Sequence, residues 1–448
     1  MAATKIVIIG AGSSDFGPGM VADIMRDTSL KGSTISLVDI DAEALSLMKA
    51  VAKRMRAEWG SDVKIEATVD RKRALPGAEF VLVAIEAERL KRWTMDWKIP
   101  LKHGLRQPFG ENGGPAGFAH GARNIALVMG ICDDMRKLCP EAWFFNFTNP
   151  VPRVALAAWK YGGVKAAGFC HQIWMGVEFI KQLLGIPEED VDIKAAGLNH
   201  FTWMLDVRRK STQEDLYPAL RRKLKSWPAD WELLTRDVFE AMGVFPVPGD
   251  PHLCEYLPWV CDPQRKPWEK YDLNPPRFVH SRRQVDTIHR RKAREEFRKM
   301  ASGEASLDEY REGSGEKAVP ALAAIVNNSN SYELAINIPN EGYIPNLPQN
   351  AMVEVPAMVS AIGIRGVPVG NLPEPVAELC RRQIAVTELA VKAAATGDRT
   401  AALQALLMDP MITDLQMARD ILADYLKLHG DLLPQFRQTR RRARRKRS

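Results

Sequence analysis

A series of continuous apolar runs, spaced by helix-length stretches, constrains the first half of this chain more than any other feature. The runs are Lys5–Gly12, Thr34–Asp41, Phe80–Glu86, Trp143–Pro150 and Val164–His171. None alternates apolar with polar residues as a half-exposed strand does, so each reads as a strand buried on both faces. Helix-like stretches such as Asp41–Gly60 and Phe118–Cys139 lie between them. Strands alternating with helices predict a parallel sheet with right-handed crossovers and helices on both sides. The second half reads as α+β. Val191–Arg209 looks extended, Ala321–Asn330, Tyr332–Asn340 and Ala351–Val359 look like further strands, and Glu374–Thr396 and Ile412–Leu428 look like long helices. The basic stretch Arg277–Lys299 reads as an amphipathic helix or a partly mobile segment with a solvated face.

Hydrophobic residues make up 46 % of the chain and charged residues 26 %, which excludes a disordered, collagenous or coiled-coil protein. No apolar run is long enough to cross a membrane. The N-terminus enters a strand directly, without the pattern of an export signal. The six cysteines form no CxxC and no dense framework, the usage of reduced thiols in a cytoplasm. Cys132 and Cys139 fall in a helix-like run and are expected in the core. The net charge of +7 is a property of one end, because Arg437 and the residues after it carry eight basic side chains. Removing those eight from +7 leaves the rest at −1. Residues 437–448 therefore read as a solvated, disordered tail, and nucleic acid is not expected as a partner.

The first run ends in Gly10-Ala11-Gly12, followed by Ser13 and Ser14. Glycines here let the backbone approach a pyrophosphate, and the helix that follows offers its N-terminal amides. Asp39 ends the second run, where a carboxylate bonds the ribose hydroxyls of NAD and disfavours the 2′-phosphate of NADP. Asp15 stands where the common fingerprint has its third glycine. The expected division is a Rossmann-like dinucleotide-binding unit over residues 1–190 and an α+β unit for substrate, metal and oligomerisation over 191–436.

Asn146-Phe147-Thr148-Asn149-Pro150 and Cys170-His171 close two later strands at the ligand-binding edge of such a sheet. Asn199-His200 lies in the extended segment beyond. A thiolate and an imidazole together can hold a divalent metal with positions left for substrate oxygens, although a buried Cys and a satisfied His are each commoner.

Taken together, the ordered motifs KIVIIGAGSSDFGP, GPAGFAHGARN, NFTNPVPRV, GFCH, GLNHFTW, GDPHLCEYLP and VNNSNSYELAINIPNEGYIPNLPQNAMVEVP, from Lys5 to about Pro373, resemble glycoside hydrolase family 4. The resemblance implies an architecture like that of lactate and malate dehydrogenases, a homodimer or homotetramer, NAD, and a divalent metal, usually Mn²⁺. It implies Cys170 and His200 as metal ligands. Gly10, Gly12, Ser13, Ser14, Phe16, Asp39 and Asn149 would bind the cofactor. Asn149, His171, Arg123 and Asn199 would touch the sugar. The implied reaction begins with hydride transfer from C3 to NAD⁺, after which the metal stabilises the enolate formed as C2 loses a proton. Asp250 is implied as the base, with Tyr256 the second candidate. The glycosidic oxygen leaves from C1, water adds, and the hydride returns. No pair of catalytic carboxylates is expected in this family.

Ala116 and His120 depart from the family pattern, where a second glycine and an arginine are usual. His171, after the cysteine, goes with unphosphorylated sugars in the family, so a galactoside or an uronide is expected. Two other readings fit parts of the sequence. One is a 2-hydroxy-acid dehydrogenase, which has no use for the Cys170/His200 pair. The other is a non-enzymatic NAD- and sugar-binding sensor, against which Cys170, His200 and Asp250 all speak.

Overall fold

The computed structural model describes residues 3–14, 16–275, 279, 285–313, 315 and 317–437. Asp15, part of the basic stretch after Pro275, and all of the tail except Arg437 lie outside them. Six strands form a parallel sheet: β1 (Lys5–Ile9), β2 (Thr34–Val38), β3 (Lys64–Thr68), β4 (Phe80–Val83), β5 (Trp143–Asn146) and β6 (Lys165–Gly168). Their spatial order is β3-β2-β1-β4-β5-β6, the order of a dinucleotide-binding fold. Ile6, Val7, Ile35, Leu37, Val81, Leu82, Phe144 and Phe145 are all buried, as continuous apolar strands between two helical layers must be. Helix Ala42–Trp59 starts where Asp41 accepts hydrogen bonds from the Glu43 and Ala44 amides and stops at Gly60 in the left-handed conformation. It lays Leu45, Met48, Val51, Ala52 and Met55 on the sheet at helical spacing.

The second half extends the same sheet. Its strands are β7 (Val191–Leu198), β8 (Phe201–Arg209), β9 (Phe245–Pro246), β10 (Ser331–Pro339), β11 (Met352–Ser360) and β12 (Gly363–Gly366). The order continues β6-β10-β11-β7-β8-β9, all antiparallel, with β12 beside β11. Asn337 of β10 pairs with Gly168 of β6, and Glu354 of β11 pairs with Gly197 of β7. Those two pairings bring the end of β6 and the end of β7 to one place. Behind the sheet, helix Glu374–Thr396 packs on helix Gly114–Leu138.

Several expected elements differ. Val191–Arg209 is a hairpin, turning at Asn199-His200 between paired Leu198 and Phe201. Ala321–Asn330, expected as a strand, lies largely in helix Ala318–Asn327. Its four alanines carry no branched bulk that would favour a strand, and Asn328 closes it in the left-handed conformation. The expected helix Ile412–Leu428 is found as Leu415–Leu428, and a further helix, Arg399–Met408, precedes it. Cys132 and Cys139 are buried, as expected, and all six cysteines are free thiols.

Candidate active site

The turn after β1 is packed tightly against its own neighbours. Gly10 has φ +92°, and a Cβ there would lie 2.0 Å from the Ala84 carbonyl oxygen. The Gly12 amide donates to Asp39 Oδ2 at 2.8 Å, and the Asp41 amide donates to Asp39 Oδ1 at 2.8 Å. Each carboxylate oxygen keeps a second acceptor position, so Asp39 is oriented without being used up. Helix Gly17–Arg26 opens directly after Phe16 with no side-chain cap and no acid in its first turn. The Gly17 amide is taken by Ser13 O, which tightens the turn, and the Phe16 ring packs against Phe147 at 5.9 Å. This cradle, with an acid at the neighbouring strand end, fits a dinucleotide.

Asn146 and Gly168 are register partners, so the residues just past them face one crevice. Asn146 Nδ2 donates to the Thr148 and Val151 carbonyls, and the Thr148 amide donates to Asn146 Oδ1. Thr148 Oγ1 accepts from the Ile85 amide at 2.9 Å. The Asn149–Pro150 peptide bond is cis, and the Asn149 carbonyl accepts from Asn124 Nδ2 at 2.7 Å. Asn146 and Thr148 are therefore turn-formers, whereas Asn149 leaves its side chain toward Glu111, 3.5 Å away.

Cys170 Sγ lies 3.4 Å from His200 Nε2. Two cis ligands of one first-row metal, a thiolate at about 2.3 Å and an imidazole at about 2.1 Å, stand about 3.1–3.6 Å apart. His200 has φ +62°, a conformation uncommon for any residue but glycine and typical of functional turns. Its buried Nδ1 has no hydrogen-bond partner among the described residues. Burial, then the nearby His252 and His171, push His200 well below its ordinary pKa, so it is neutral and keeps a lone pair. The His252 ring lies 4.1 Å from the His200 ring. Ligand atoms of His200, His252 and Glu255 all fall within 4.8 Å of one another. The donor set fits a divalent metal: the two expected ligands Cys170 and His200 lie together, and His252 and Glu255 place further donor atoms beside His200. His171 is exposed, at the cap position of helix Gln172–Leu184.

Glu255 makes the crevice floor. Its Oε2 accepts from the Glu111 and Asn112 amides at 2.6 Å and from the Gly113 amide at 3.1 Å, just before helix Gly114–Leu138. Its Oε1 lies 3.2 Å from His252 Nδ1. A buried carboxylate at a helix N-terminus is well placed electrostatically. Tyr256 follows it, its ring 5.1 Å from Phe201. Burial, then the Glu255 charge, hold the Tyr256 phenol well above its usual pKa, and Arg153 opposes them. Arg153 is fully buried with no ion-pair partner among the described residues. Asn112 Oδ1, Arg153 Nη1, Asn199 Oδ1 and Gln383 Oε1, all buried and unpaired, line one small chamber with Tyr256.

Three expected residues hold different posts. Asp250 accepts from the Leu234 amide at 2.9 Å and from the Thr235 amide and hydroxyl at 2.8 Å, so both its oxygens cap helix Leu233–Met242. Asn199 Nδ2 donates to Glu354 Oε2 at 2.7 Å. Thr202 and Asn337 donate to the same carboxylate, and the trio locks the hairpin that carries His200. Arg123, expected on the sugar, is buried in a two-pronged pair with Asp96 at 2.7 and 2.8 Å. His429 lies 2.6 Å from the same Asp96. The pattern that suggested Arg123 could not show Asp96 and His429, because both arrive through tertiary packing. Arg123→Met should cost about 3–5 kcal/mol in urea unfolding, since Asp96 is left buried with a charge. The KM of the folded fraction should stay within about threefold.

Glu232 sits beside Asp250, accepting from its amide at 2.5 Å. Burial, then the Asp250 charge, push Glu232 up to about 7 from its ordinary 4.5. Between those two values the folded chain holds more protons than the unfolded one, so stability falls as pH rises through that window. Glu232→Gln should flatten that decline in urea midpoints compared at about pH 5 and pH 7.5.

A polar cluster surrounds His120, which the sequence marks as a departure from the family pattern without showing its partners. His120 donates from Nδ1 to the Glu111 carbonyl at 2.7 Å and lies 2.9 Å from Glu86. Burial alone would lower its pKa, yet Glu86 outweighs it and His120 is raised. Arg89 pairs with Glu111 at 3.2 Å and with Glu86 at 3.4 Å. The available signal was Glu86 itself, which ends the third apolar run at the same sheet edge.

The Family 4 glycosyl hydrolase model matches residues 5–186, and the model of that family's C-terminal domain matches residues 195–412. The chain is 30 % identical to an alpha-glucosidase of Erwinia rhapontici, over 93 % of this chain and 98 % of that one. It is 29 % identical to an alpha-galactosidase of Bacillus subtilis, over 97 % and 100 %. In fold it is similar to a 6-phospho-alpha-glucosidase from gut microorganisms, solved in complex with NAD and Mn²⁺. That likeness has a TM-score of 0.81 at 24 % identity, covering 97 % of this chain and 99 % of the other. With matches running through both halves, the chain belongs to glycoside hydrolase family 4.

Proposed function

We propose that this enzyme cleaves an unphosphorylated glycoside or uronide by oxidation at C3, deprotonation at C2, elimination at C1 and addition of water. The observation that carries the reading is the meeting of Cys170, His200 and His252 one strand away from the Asn149 turn. When bound, NAD supplies a hydride acceptor and donor at C3, and a divalent metal, Mn²⁺, supplies a Lewis acid for the C3 oxygen. Cys170 and His200, with His252, would hold the metal. Gly10, Gly12, Ser13, Ser14 and Asp39 would hold the dinucleotide, with Phe16 supporting their turn. Asp39 favours NAD over NADP.

Asn149 orients the reacting ring between these two sites, beside Glu111. Tyr256, after giving its own proton to solvent, would take the C2 proton as a phenolate. Arg153 is the chain's own counter-charge to that phenolate, opposing the burial and the Glu255 charge that favour the neutral phenol. Tyr256 is preferred over Asp250 because both Asp250 oxygens already accept hydrogen bonds from a helix start. His171, exposed beside His200, supports an unphosphorylated sugar. Residues 1–190 serve the cofactor and 191–436 the metal and substrate. Among the described residues no helix is long and apolar enough to cross a membrane. Free thiols throughout support a cytoplasmic enzyme, and a homodimer or homotetramer is the proposed assembly.

Chelator-treated protein, given p-nitrophenyl α- and β-glycosides and uronides, phosphorylated and not, tests the reading. Release of nitrophenol should need both NAD⁺ and Mn²⁺ and favour an unphosphorylated sugar. Metal-free turnover of a hydroxy acid, with no glycoside cleaved, would transfer the fold to dehydrogenase chemistry.

A further inference from the structure

Helix Val285–Ser302 comes from the second half of the chain but lies on the first. It packs against both helix Ala42–Trp59 and helix Arg89–Lys102. Those helices follow β2 and β4, the two strands that flank β1. A helix resting on both straddles the crevice in which such folds hold the adenosine half of a dinucleotide.

Its anchoring is specific. Arg294 pairs with Asp41 and, at 3.0 Å, with Glu43. Arg298 pairs with Glu43 at 2.6 Å. Arg54 donates back to the Met300 and Ala305 carbonyls. Phe297 and Met300 are buried beneath. The anchored end thus sits two residues from Asp39, the ribose acid. Toward its other end the exposed His289 places Nε2 3.3 Å from Ser14 Oγ, in the glycine turn itself.

We infer that this helix is the outer wall of the dinucleotide site and that His289 is a ligand of the cofactor's pyrophosphate. The inference rests on the NAD reading above and goes beyond it by assigning a residue and a consequence. The His289 imidazole and the Ser14 hydroxyl, 3.3 Å apart, would offer donors to the same phosphates side by side. The consequence is retention. The proposed reaction takes a hydride from C3 and gives it back, so the cofactor ends each cycle as it began and never has to leave. A dehydrogenase, which must exchange cofactor every turnover, would be slowed by such a wall.

The test is the rate at which NADH leaves the full-length protein. NADH fluorescence is followed after a chase with excess NAD⁺, for the parent, His289→Ala, and the double variant Arg294→Ala/Arg298→Ala. Each variant should release NADH about ten- to a hundredfold faster, the worth of a charge-assisted contact. Release from the double-variant site should also become less sensitive to salt, since the exposed ion pairs are gone. Thermal melting of each variant shows that it is folded, and His289, being exposed, is not needed for the core. Variants that are folded and release NADH within twofold of the parent would overturn the wall. A folded parent that binds no NADH at all would overturn the NAD reading together with it.

Discussion

Tyr256→Phe should lower glycoside release by about 10²–10⁴-fold, the usual worth of a positioned general base, while leaving NAD binding and the melting temperature close to the parent. Asp250→Asn should do the reverse. It weakens the acceptor that holds the Leu234 and Thr235 amides, so it should cost about 0.5–2 kcal/mol of stability and less than about tenfold in rate. The contrast separates the two candidate bases by what each carboxyl or phenol oxygen touches. Steady-state kinetics on the preferred p-nitrophenyl glycoside, beside urea titrations of both variants, reads it directly. If Asp250→Asn loses the larger share of the rate in a protein of parental stability, the base has been assigned to the wrong residue.

The second large effect is expected at the metal. Cys170→Ser should reduce release by at least about 10³-fold, equivalent to about 4 kcal/mol of lost transition-state stabilisation. Serine keeps the shape but not the thiolate, which is the softer ligand for a transition metal. Mn²⁺ retained after desalting, measured by elemental analysis, should fall with it. His252→Ala should weaken Mn²⁺ less than Cys170→Ser, because His252 also leans on Glu255 at 3.2 Å and is held raised in pKa there. Burial would lower it, and Glu255 outweighs burial. Loading His252 with metal therefore means displacing a proton, so its contribution should grow with pH.

Much of the cofactor half was readable because buried parallel strands write continuous apolar runs. The exception there is β3, Lys64–Thr68, an edge strand with half-exposed residues and too little apolar character to be noticed. The glycine turn and Asp39 were readable as a pair, and the hydrogen bond from the Gly12 amide to Asp39 joins them. Cys170 and His200 were visible as residue types at strand ends, but nothing local says that they approach within 3.4 Å. That closeness comes from β10 and β11, which bridge β6 to β7 from more than 130 residues downstream. Arg123 misled for the same reason in reverse, because Asp96 and His429 reach it through folding alone. Helix Ala318–Asn327 misled because a run apolar on every side carries no period, and its alanines outvoted its valines and isoleucine only in the packed chain. Glu255 and His252 were quoted in a motif, yet their work depends on the helix start at Gly113–Gly114 and on the His200 hairpin.

The central claim is that the bond to C1 breaks by elimination after C2 has lost its proton. It is tested most directly by cleaving the preferred glycoside in deuterium oxide with NAD⁺ and Mn²⁺ present, and reading the released sugar by mass spectrometry and proton NMR. The account predicts one deuterium at C2 of the product. Product that carries hydrogen at C2 throughout, formed at the full rate, would mean that the glycosidic bond is displaced directly and would contradict the account.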